Sequence, residues 1–220
     1  MHHDSTRRRK VALQSFFIDY YDHWFDSRHE PGVIVWERRG DLPPWKEDQF
    51  RMMNAVGLET PHHGTASELL EYLDDDTEVV AYYDPRGHAT QGKYRTELGR
   101  VYYPEMYCST FIHTEGPPTH TRIVHIGDRS VEFTMTSDHE WMSNTGHDIT
   151  MAFVSADCHP RHFEWPIYAV DYVDGLAVDL NRCPGLSNTP VEDVLTPKEC
   201  ADAIIEWAQV FSFDWEGEAA

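Results

Sequence analysis

Three polar residues in the C-terminal third of the chain have the types and spacing of ligands for a divalent metal ion. They are Asp171, Asp179 and Asn181, within the stretch DYVDGLAVDLN. This stretch predicts two short strands joined at Asp174-Gly175, because glycine readily supplies the positive φ of a tight hairpin turn. Residues two apart on a strand share a face, so Asp179 and Asn181 point the same way. A small register adjustment then brings Asp171 opposite them.

This donor set is typical of a magnesium ion that carries a nucleotide. Mg²⁺ takes hard oxygen ligands, and it often uses few protein ligands because waters and substrate phosphates complete its coordination shell. The alternative is that the same three side chains are ordinary exposed polar residues on a half-buried hairpin. These residues alone leave both interpretations open.

The bulk composition is that of a folded, strongly acidic globular protein. The 220 residues are 40% hydrophobic, and 38 acidic against 18 basic residues give a formal net charge of -20. This charge disfavours nucleic acid as a partner, because contacts to phosphates need a positive surface. No apolar run has the length that spans a membrane, and the start, MHHDSTRRRKVALQSFF, lacks a secretory signal pattern. We therefore expect a cytoplasmic protein without membrane segments.

The four cysteines and the histidines do not predict a second metal site. No CxxC pair occurs, so the cysteines are expected to be reduced. The stretch CHPRH at 158–162 invites a zinc site, but a compact zinc site needs four ligands and no second cluster is evident in the sequence.

The first half of the sequence mixes helical and strand patterns. Apolar residues at three- and four-residue spacing predict a helix over residues 10 to 27, and VIVWE at 33–37 predicts a short strand. A second helix is expected from about Lys46 to Ala55, ended by Gly57.

Two further elements follow in this half. Thr65 and Glu68 have the spacing of a capping box and predict a helix in TASELLEYL. EVVAYYD at 78–84 predicts a strand, and PRGHATQGKYR at 85–95 predicts a glycine-containing loop.

From residue 100 onward strands dominate. Four successive strands are predicted in RVYYP, MYCSTFI, THTRIVHIG and SVEFTMTS, with a turn at Gly127-Asp128 between the last two. A loop at WMSNTGHD and a stretch without a clear pattern precede the hairpin. TPKECADAIIEWAQVF predicts a C-terminal helix, because Thr196 and Glu199 form a second capping box. The mixture predicts an α+β fold.

Four motifs, in order along the chain, resemble those of the ATP-grasp superfamily. VDYVDGLAVDLNRCPGL is similar to its closing signature, in which an acidic residue precedes an acidic-x-Asn-x-x-Pro-Gly on the next strand. TRIVHIGDRSVEFTMTSDHEWMSNTGHD looks like the earlier block, with an Arg-bearing strand and an aromatic-x-x-Asn loop. PPWKEDQFRMMNAVGLETPHHGTASELLEYL and VIVWERRG are similar to the segments that open the nucleotide-binding core. The resemblance spans roughly residues 33 to 190 and favours the glutathione-synthetase and ribosomal-protein glutamate-ligase branch.

The resemblance implies two small α+β lobes that clasp ATP between antiparallel sheets. Residues 1–45 would be a reduced N-terminal segment, 46–112 the small lobe, and 113–220 the large lobe with the metal-binding hairpin and the C-terminal helix. Fewer than fifty residues precede the helix at Lys46, so we expect a truncated N-terminal lobe. The substrate pocket would then be reduced, or a homo-oligomer or a partner subunit would complete it.

The resemblance also implies an activity, an ATP-dependent carboxylate-amine ligase with an acyl-phosphate intermediate. The substrates would be a small-molecule or peptide carboxylate and an amine, and the cofactors ATP and Mg²⁺. The alternative is a degenerate ATP-grasp protein that binds a nucleotide or a protein partner without catalysis.

By position, the resemblance assigns Mg²⁺ to the hairpin residues and the other functions to residues upstream of the hairpin. Arg122 would contact the γ-phosphate or the acyl phosphate, Asn144 would assist near the phosphates, and Lys93 would cover the α- and β-phosphates. The backbone that would bind adenine belongs to Thr110, Phe111 and Ile112. The alternatives are an ordinary outward-facing Arg122, a solvated loop Lys93 and an Asn144 that caps a turn.

The sequence departs from the family pattern at three positions. Tyr82 stands where a strand normally ends in a lysine that reaches the phosphates. Thr110 stands where an acidic residue usually precedes the adenine segment, and Asp179 replaces a metal-binding glutamate. Being one methylene shorter, Asp179 would hold the cation closer to the strand.

Overall fold

The computed structural model describes residues 10–12, 34–36, 45–84, 92–182, 184–186 and 188–210. These residues form two antiparallel sheets and a short parallel strand pair, with helices packed against the sheets. The arrangement confirms the predicted α+β fold class. No helix within these ranges is long and apolar enough to cross a membrane.

The described elements are numbered in chain order. The described strands are β1 (Lys10–Ala12), β2 (Ile34–Trp36), β3 (His63–Thr65), β4 (Glu78–Tyr82), β5 (Lys93–Glu97), β6 (Tyr107–Thr110), β7 (Thr119–Ile126), β8 (Arg129–Ser137), β9 (Ile149–Ala156), β10 (Ile167–Val173) and β11 (Leu176–Asn181). The described α-helices are α1 (Lys46–Ala55), α2 (Ala66–Leu69), α3 (Val191–Val194) and α4 (Pro197–Val210). A 3-10 turn spans Leu98–Arg100.

The smaller antiparallel sheet has the strand order β3-β6-β4-β5. Val79 and Ala81 of β4 are fully buried and pack with Leu69 of α2, so one face of the sheet is covered. The predicted capping box holds the start of α2, because the Thr65 hydroxyl accepts from the Glu68 amide and the Glu68 carboxylate accepts from the Thr65 amide. Local sequence therefore sets the position of this helix.

The larger sheet has the order β11-β10-β7-β8-β9 and carries helices on both faces. Alternate residues of β10 point to opposite faces: Ala169 packs in a cluster with Ile204 of α4, and Val170 packs in a cluster with Phe50 of α1. Leu180 of β11 belongs to the α1 cluster, so α1 lies beside the β11 edge. This packing brings the first turn of α1 to the 171–181 hairpin.

Several local predictions are confirmed. α1 spans the predicted residues and is followed by Gly57 at φ +83. The predicted hairpin turn joins β7 to β8, and β10 and β11 form the predicted Asp174-Gly175 hairpin. The capping box of Thr196 and Glu199 opens α4.

Some local predictions are wrong. Lys10–Ala12, expected in a helix, form β1 in parallel pairing with β2, and residues 13–27 of that expected helix lie outside the described residues. Residues 101–106, expected to contribute to strands, run as turns and bends after the 3-10 turn. Residues 93–95, expected in a loop, belong to β5 because they pair along β4. Ile149–Ala156 had no clear pattern and forms β9 by pairing with β8. In each strand, partners distant in sequence decide the conformation.

Gly127→Ala tests how closely α4 packs on the turn between β7 and β8. Gly127 has φ +55, and a Cβ there would lie 2.2 Å from the carbonyl oxygen of Ala203. We expect the variant to lose roughly 2 to 4 kcal/mol of unfolding free energy through the clash and the left-handed backbone, as measured by urea denaturation. Gly175→Ala is the control, because Gly175 has φ +79 but open space around it, and it should lose only about 1 to 2 kcal/mol. Equal losses would contradict the close packing.

Candidate active site

The 171–181 hairpin has the register that the metal prediction requires. Asp171 of β10 lies directly opposite Asp179 of β11, because the ladder shifts between Asp171 and Tyr172. This bulge confirms the small register adjustment that the sequence predicted. Asn181 lies two residues beyond Asp179 on β11, so the three side chains share one face of the sheet.

Arg122 of β7 extends this polar row to a third strand. It lies opposite Asp171 on the other side of β10, and its Nε and Nη2 donate to the two Asp171 carboxylate oxygens at 2.6 and 2.7 Å. Both side chains are largely buried, so salt screens the pair little. Burial alone would lower the pKa of Arg122, but the adjacent Asp171 raises it and the guanidinium stays charged. The buried pair therefore excludes the alternative of an ordinary outward-facing Arg122.

Lys46, at the first turn of α1, is a candidate site residue that the sequence interpretation missed. Its buried Nζ donates to Asp179 Oδ1 and, at 3.1 Å, to Gln49 Oε1. The same Gln49 oxygen accepts from the backbone amide of Leu180 at 3.2 Å, which fixes α1 to β11. Lys46 belongs to the segment beginning PPWKEDQF, which resembles the opening of the nucleotide-binding core, so the sequence could have indicated it as a candidate. The sequence did not show that Lys46 reaches Asp179.

The ion pair between Lys46 and Asp179 keeps both groups charged despite their surroundings. Burial alone would lower the pKa of Lys46, but Asp179 raises it above its usual value. Burial alone would raise the pKa of Asp179, but Lys46 lowers it, with help from Lys93 and Arg122. The hairpin carboxylate is thus an anion within reach of three cations.

Lys93 supplies a cation beside Tyr82, the residue that stands where the family pattern has a lysine. The two residues are cross-strand partners, Lys93 at the start of β5 and Tyr82 at the end of β4. Burial lowers the pKa of Lys93 and the nearby Lys46 lowers it further, while Asp179 and Asp171 partly offset both effects. Lys93 is therefore a strand residue that is coupled electrostatically to the hairpin carboxylates, and it is not a solvated loop lysine. Burial raises the pKa of Tyr82, which stays neutral with its hydroxyl 3.1 Å from Ser109 Oγ.

The loop that contains Asn144 is tied to the polar row by His120. His120 of β7 is buried, with Nδ1 2.6 Å from Ser143 Oγ and Nε2 3.6 Å from Asp171 Oδ2. Burial lowers the pKa of His120, which keeps the ring neutral near pH 7. Asn144 is the next residue after Ser143 and is partly buried. The structure thus brings the Asn144 loop to the same end of the sheet as Asp171.

The 110–112 segment begins at the last residue of β6, in the smaller sheet. The Thr110 and Phe111 amides donate at 2.8 Å to the His62 and Glu78 carbonyl oxygens, so adenine recognition would use carbonyl oxygens or the Ile112 amide. Trp141 connects this segment to Lys93, because its ring lies 6.3 Å from the Phe111 ring and 5.9 Å from Lys93 Nζ.

The oxygen donors of the hairpin fit a magnesium ion. The described residues contain no group of three or more His, Cys, Asp or Glu arranged to hold a metal. Asp171, Asp179 and Asn181 supply two carboxylates and one amide, a small all-oxygen set that suits Mg²⁺ with waters and phosphates as further ligands. Each carboxylate already forms an ion pair with a cationic side chain. A carboxylate has about four lone-pair sites, so each could also bind a metal ion.

Comparison with known proteins identifies the fold. No family model matches the sequence, and no curated protein matches it. Among solved structures, the RiPP-associated ATP-grasp ligase of Chryseobacterium gregarium, in complex with ADP and a leader and core peptide, has a TM-score of 0.52 and 9% identity. That match covers 92% of this chain and 77% of the ligase chain. The ATP-grasp ligase PsnB, complexed with a minimal precursor, has a TM-score of 0.52 and 16% identity over 92% of this chain and 78% of its own.

A third match is weaker and partial. The macrocyclase MdnC of Microcystis aeruginosa MRC, bound with its precursor peptide MdnA, has a TM-score of 0.46 and 12% identity. The match covers 73% of this chain and spans 59% of the MdnC chain. The two matches at 0.52 each cover 92% of this chain. The chain therefore has the ATP-grasp fold.

Proposed function

We propose that this protein is an ATP-dependent carboxylate-amine ligase that works through an acyl phosphate. One observation carries the proposal: cations from three separate elements surround a cross-strand pair of carboxylates. Lys46 comes from α1, Lys93 from β5 and Arg122 from β7. A purely structural hairpin has no need for such an arrangement, because buried charges are costly to gather.

The three cations would carry out the charge stabilisation that phosphoryl transfer needs. Lys46 and Lys93 would neutralise the phosphates of ATP, and Arg122 would contact the phosphoryl group as it moves to the substrate carboxylate. Asp179, Asn181 and Asp171 would hold Mg²⁺, which supplies further charge neutralisation between the phosphates when it is bound.

The chemistry would proceed in two balanced steps. First, a substrate carboxylate oxygen attacks the γ-phosphorus, the bond to the β-phosphate oxygen breaks, and ADP leaves. Second, an amine nitrogen attacks the acyl carbon, inorganic phosphate leaves, and the nitrogen releases its proton. Lys46, Lys93 and Arg122 would orient the phosphates. The loop that contains Trp141 and Asn144 would cover them and exclude water from the acyl phosphate.

Peptides are the substrate class that the neighbours favour. The two structures at a TM-score of 0.52 are described with a leader and core peptide and with a minimal precursor. A peptide carboxylate is therefore the substrate that we propose for this chain. We also propose that residues 46–112 and 113–220 form the two lobes around the nucleotide, and that the protein works in the cytoplasm.

Substitutions in the hairpin test the metal assignment. We expect Asp179→Asn and Asn181→Ala to weaken Mg²⁺-dependent ADP binding by roughly 10- to 100-fold, because the first removes the negative charge of a proposed metal ligand and the second removes a proposed ligand. The measurement is the Mg²⁺-dependent rise of the melting temperature on titration with ADP. Asp174→Asn is the matched control, because it removes the same charge from the exposed turn of the same hairpin and keeps a residue that tolerates φ 49. Wild-type nucleotide behaviour in both Asp179→Asn and Asn181→Ala would contradict the assignment.

The pH dependence of binding tests the role of Lys93. Burial and Lys46 lower the pKa of Lys93, whereas the pKa values of Lys46 and Arg122 are raised. Lys93 therefore loses its proton first, and we expect the affinity for Mg²⁺-ADP to fall as the pH rises from about 7 to about 10. Lys93→Arg should remove this alkaline decline, because arginine stays protonated. Calorimetric titration across this range measures both proteins, and an identical decline in the variant would show that Lys93 does not contact the nucleotide.

A further inference from the structure

The outer strand of the larger sheet is unusually apolar for an edge. β9 ends the strand order β11-β10-β7-β8-β9, and no described strand pairs with its other side. Its sequence, ITMAFVSA, contains no charged residue. Proteins commonly protect a long sheet edge with lysine or proline, because its unpaired N–H and C=O groups otherwise bind another chain. β9 lacks both residues over its whole length.

Three of its side chains form an exposed apolar strip on one face. Ile149, Met151 and Phe153 lie opposite Ser137, Met135 and Phe133 of β8, so they share a face at alternate positions. All three are exposed, and Phe153 is 51% exposed. An exposed contiguous apolar strip commonly marks a binding surface.

This strip lies on the same face as the polar row of the candidate active site. Phe153 pairs with Phe133, and Phe133 pairs with Arg122. Arg122 in turn pairs with Asp171. A single cross-strand row therefore runs from the apolar edge to the hairpin carboxylates. A molecule seated on the edge would lie beside the face on which the proposed chemistry occurs.

The length of the regular edge favours a peptide over a second copy of this chain. The β8–β9 ladder shifts between Glu132 and Phe133, so only residues 149–153 offer a regular edge. A stable dimer buries about 20 to 30 residues on each side, far more than five. Two chains of net charge -20 also repel each other. A single added strand of peptide matches both the size and the geometry of this edge.

Charge indicates which peptide fits. Residues 137–156 contain three acidic residues, Asp138, Glu140 and Asp148, and no lysine or arginine. All three are exposed, and Asp148 directly precedes the strip. A positively charged residue next to the apolar segment of the peptide would therefore be attracted to this end of β9.

We propose that β9 binds an extended segment of the peptide substrate as an added strand, through apolar side chains at alternate positions and a flanking lysine or arginine. The peptide identity of the substrate rests on the proposed function. Strands lie about 4.8 Å apart, so the added strand would lie about 19 Å from β10, a distance that about six extended residues span. The segment that docks is thus separate in sequence from the carboxylate that reacts.

Binding of a synthetic probe tests the docking site without nucleotide. The probe is a fluorescein-labelled peptide in which valine alternates with threonine between two terminal lysines, and its fluorescence anisotropy is followed on titration with the full-length protein. We expect Met151→Lys and Phe153→Lys each to weaken binding by roughly tenfold or more. Tyr102→Lys is the matched control, because Tyr102 is also exposed but lies outside the sheet, and it should bind as the wild type does.

Two altered peptides keep the test independent of how the variants fold. Methylation of alternate backbone nitrogens removes strand-pairing hydrogen bonds, and glutamate in place of the lysines reverses the charge. Both should weaken binding to the wild-type protein. Undetectable binding of the original probe, or equal binding of all three peptides, would overturn the proposal. So would a wild-type dimer in light scattering that Phe153→Lys converts to a monomer, because a second copy would then occupy the edge.

The same proteins separate this proposal from the proposed function. Mg²⁺-ADP titration of Phe153→Lys should match the wild type, since Phe153 lies three strands away from β10. Loss of probe binding with intact nucleotide binding supports the docking site alone. Probe binding by a wild-type protein that does not bind nucleotide would leave the docking site standing and remove the ligase.

Discussion

The register between β10 and β11 is the constraint on which the candidate site depends. The bulge after Asp171 places this carboxylate opposite Asp179 of β11. On the other side of β10, pairing with β7 places Asp171 opposite Arg122. A slip of one residue on β11 would turn Asp179 to the other face, into the cluster that Leu180 now shares with Phe50 of α1. Hydrophobic packing and the polar row therefore specify the same register, and neither can change without the other.

Ion pairing explains how a strongly acidic chain gathers three cations at one place. The net charge is -20, yet Lys46, Lys93 and Arg122 lie together in half-buried or buried positions around two carboxylates. The carboxylates keep Lys46 and Arg122 protonated, and burial keeps the attraction strong because little water screens it. Local geometry rather than overall charge thus decides which ligands this surface favours.

The sequence predicted those parts of the structure that depend on neighbouring residues. The Asp174-Gly175 turn, the capping boxes of Thr65 and Thr196, and the end of α1 at Gly57 are local, and each is confirmed. Because the turn was recognised, the proximity of Asp171 and Asp179 could be predicted before the fold was known. The resemblance to the ATP-grasp superfamily added the order of the elements, and the fold agrees with it.

The contacts that depend on distant pairing were not predictable from one sequence. Lys46 and Asp179 are separated by 133 positions, and Lys93 acquires its place opposite Tyr82 only through the β4–β5 ladder. β9 carries apolar residues on both faces, so it shows no simple alternation, and its strand form comes from its pairing with β8. The departure at Tyr82 indicated a missing cation, whereas the folded chain supplies one from the adjacent strand.

Calorimetric titration of the wild-type protein with ADP and with a non-hydrolysable ATP analogue, with and without Mg²⁺, tests the central claim most directly. The convergence of Lys46, Lys93 and Arg122 on the paired carboxylates predicts one binding site per chain whose affinity depends on the metal. Undetectable binding at millimolar nucleotide with Mg²⁺ would contradict it, and the buried charges would then serve only to hold α1 and the two sheets together.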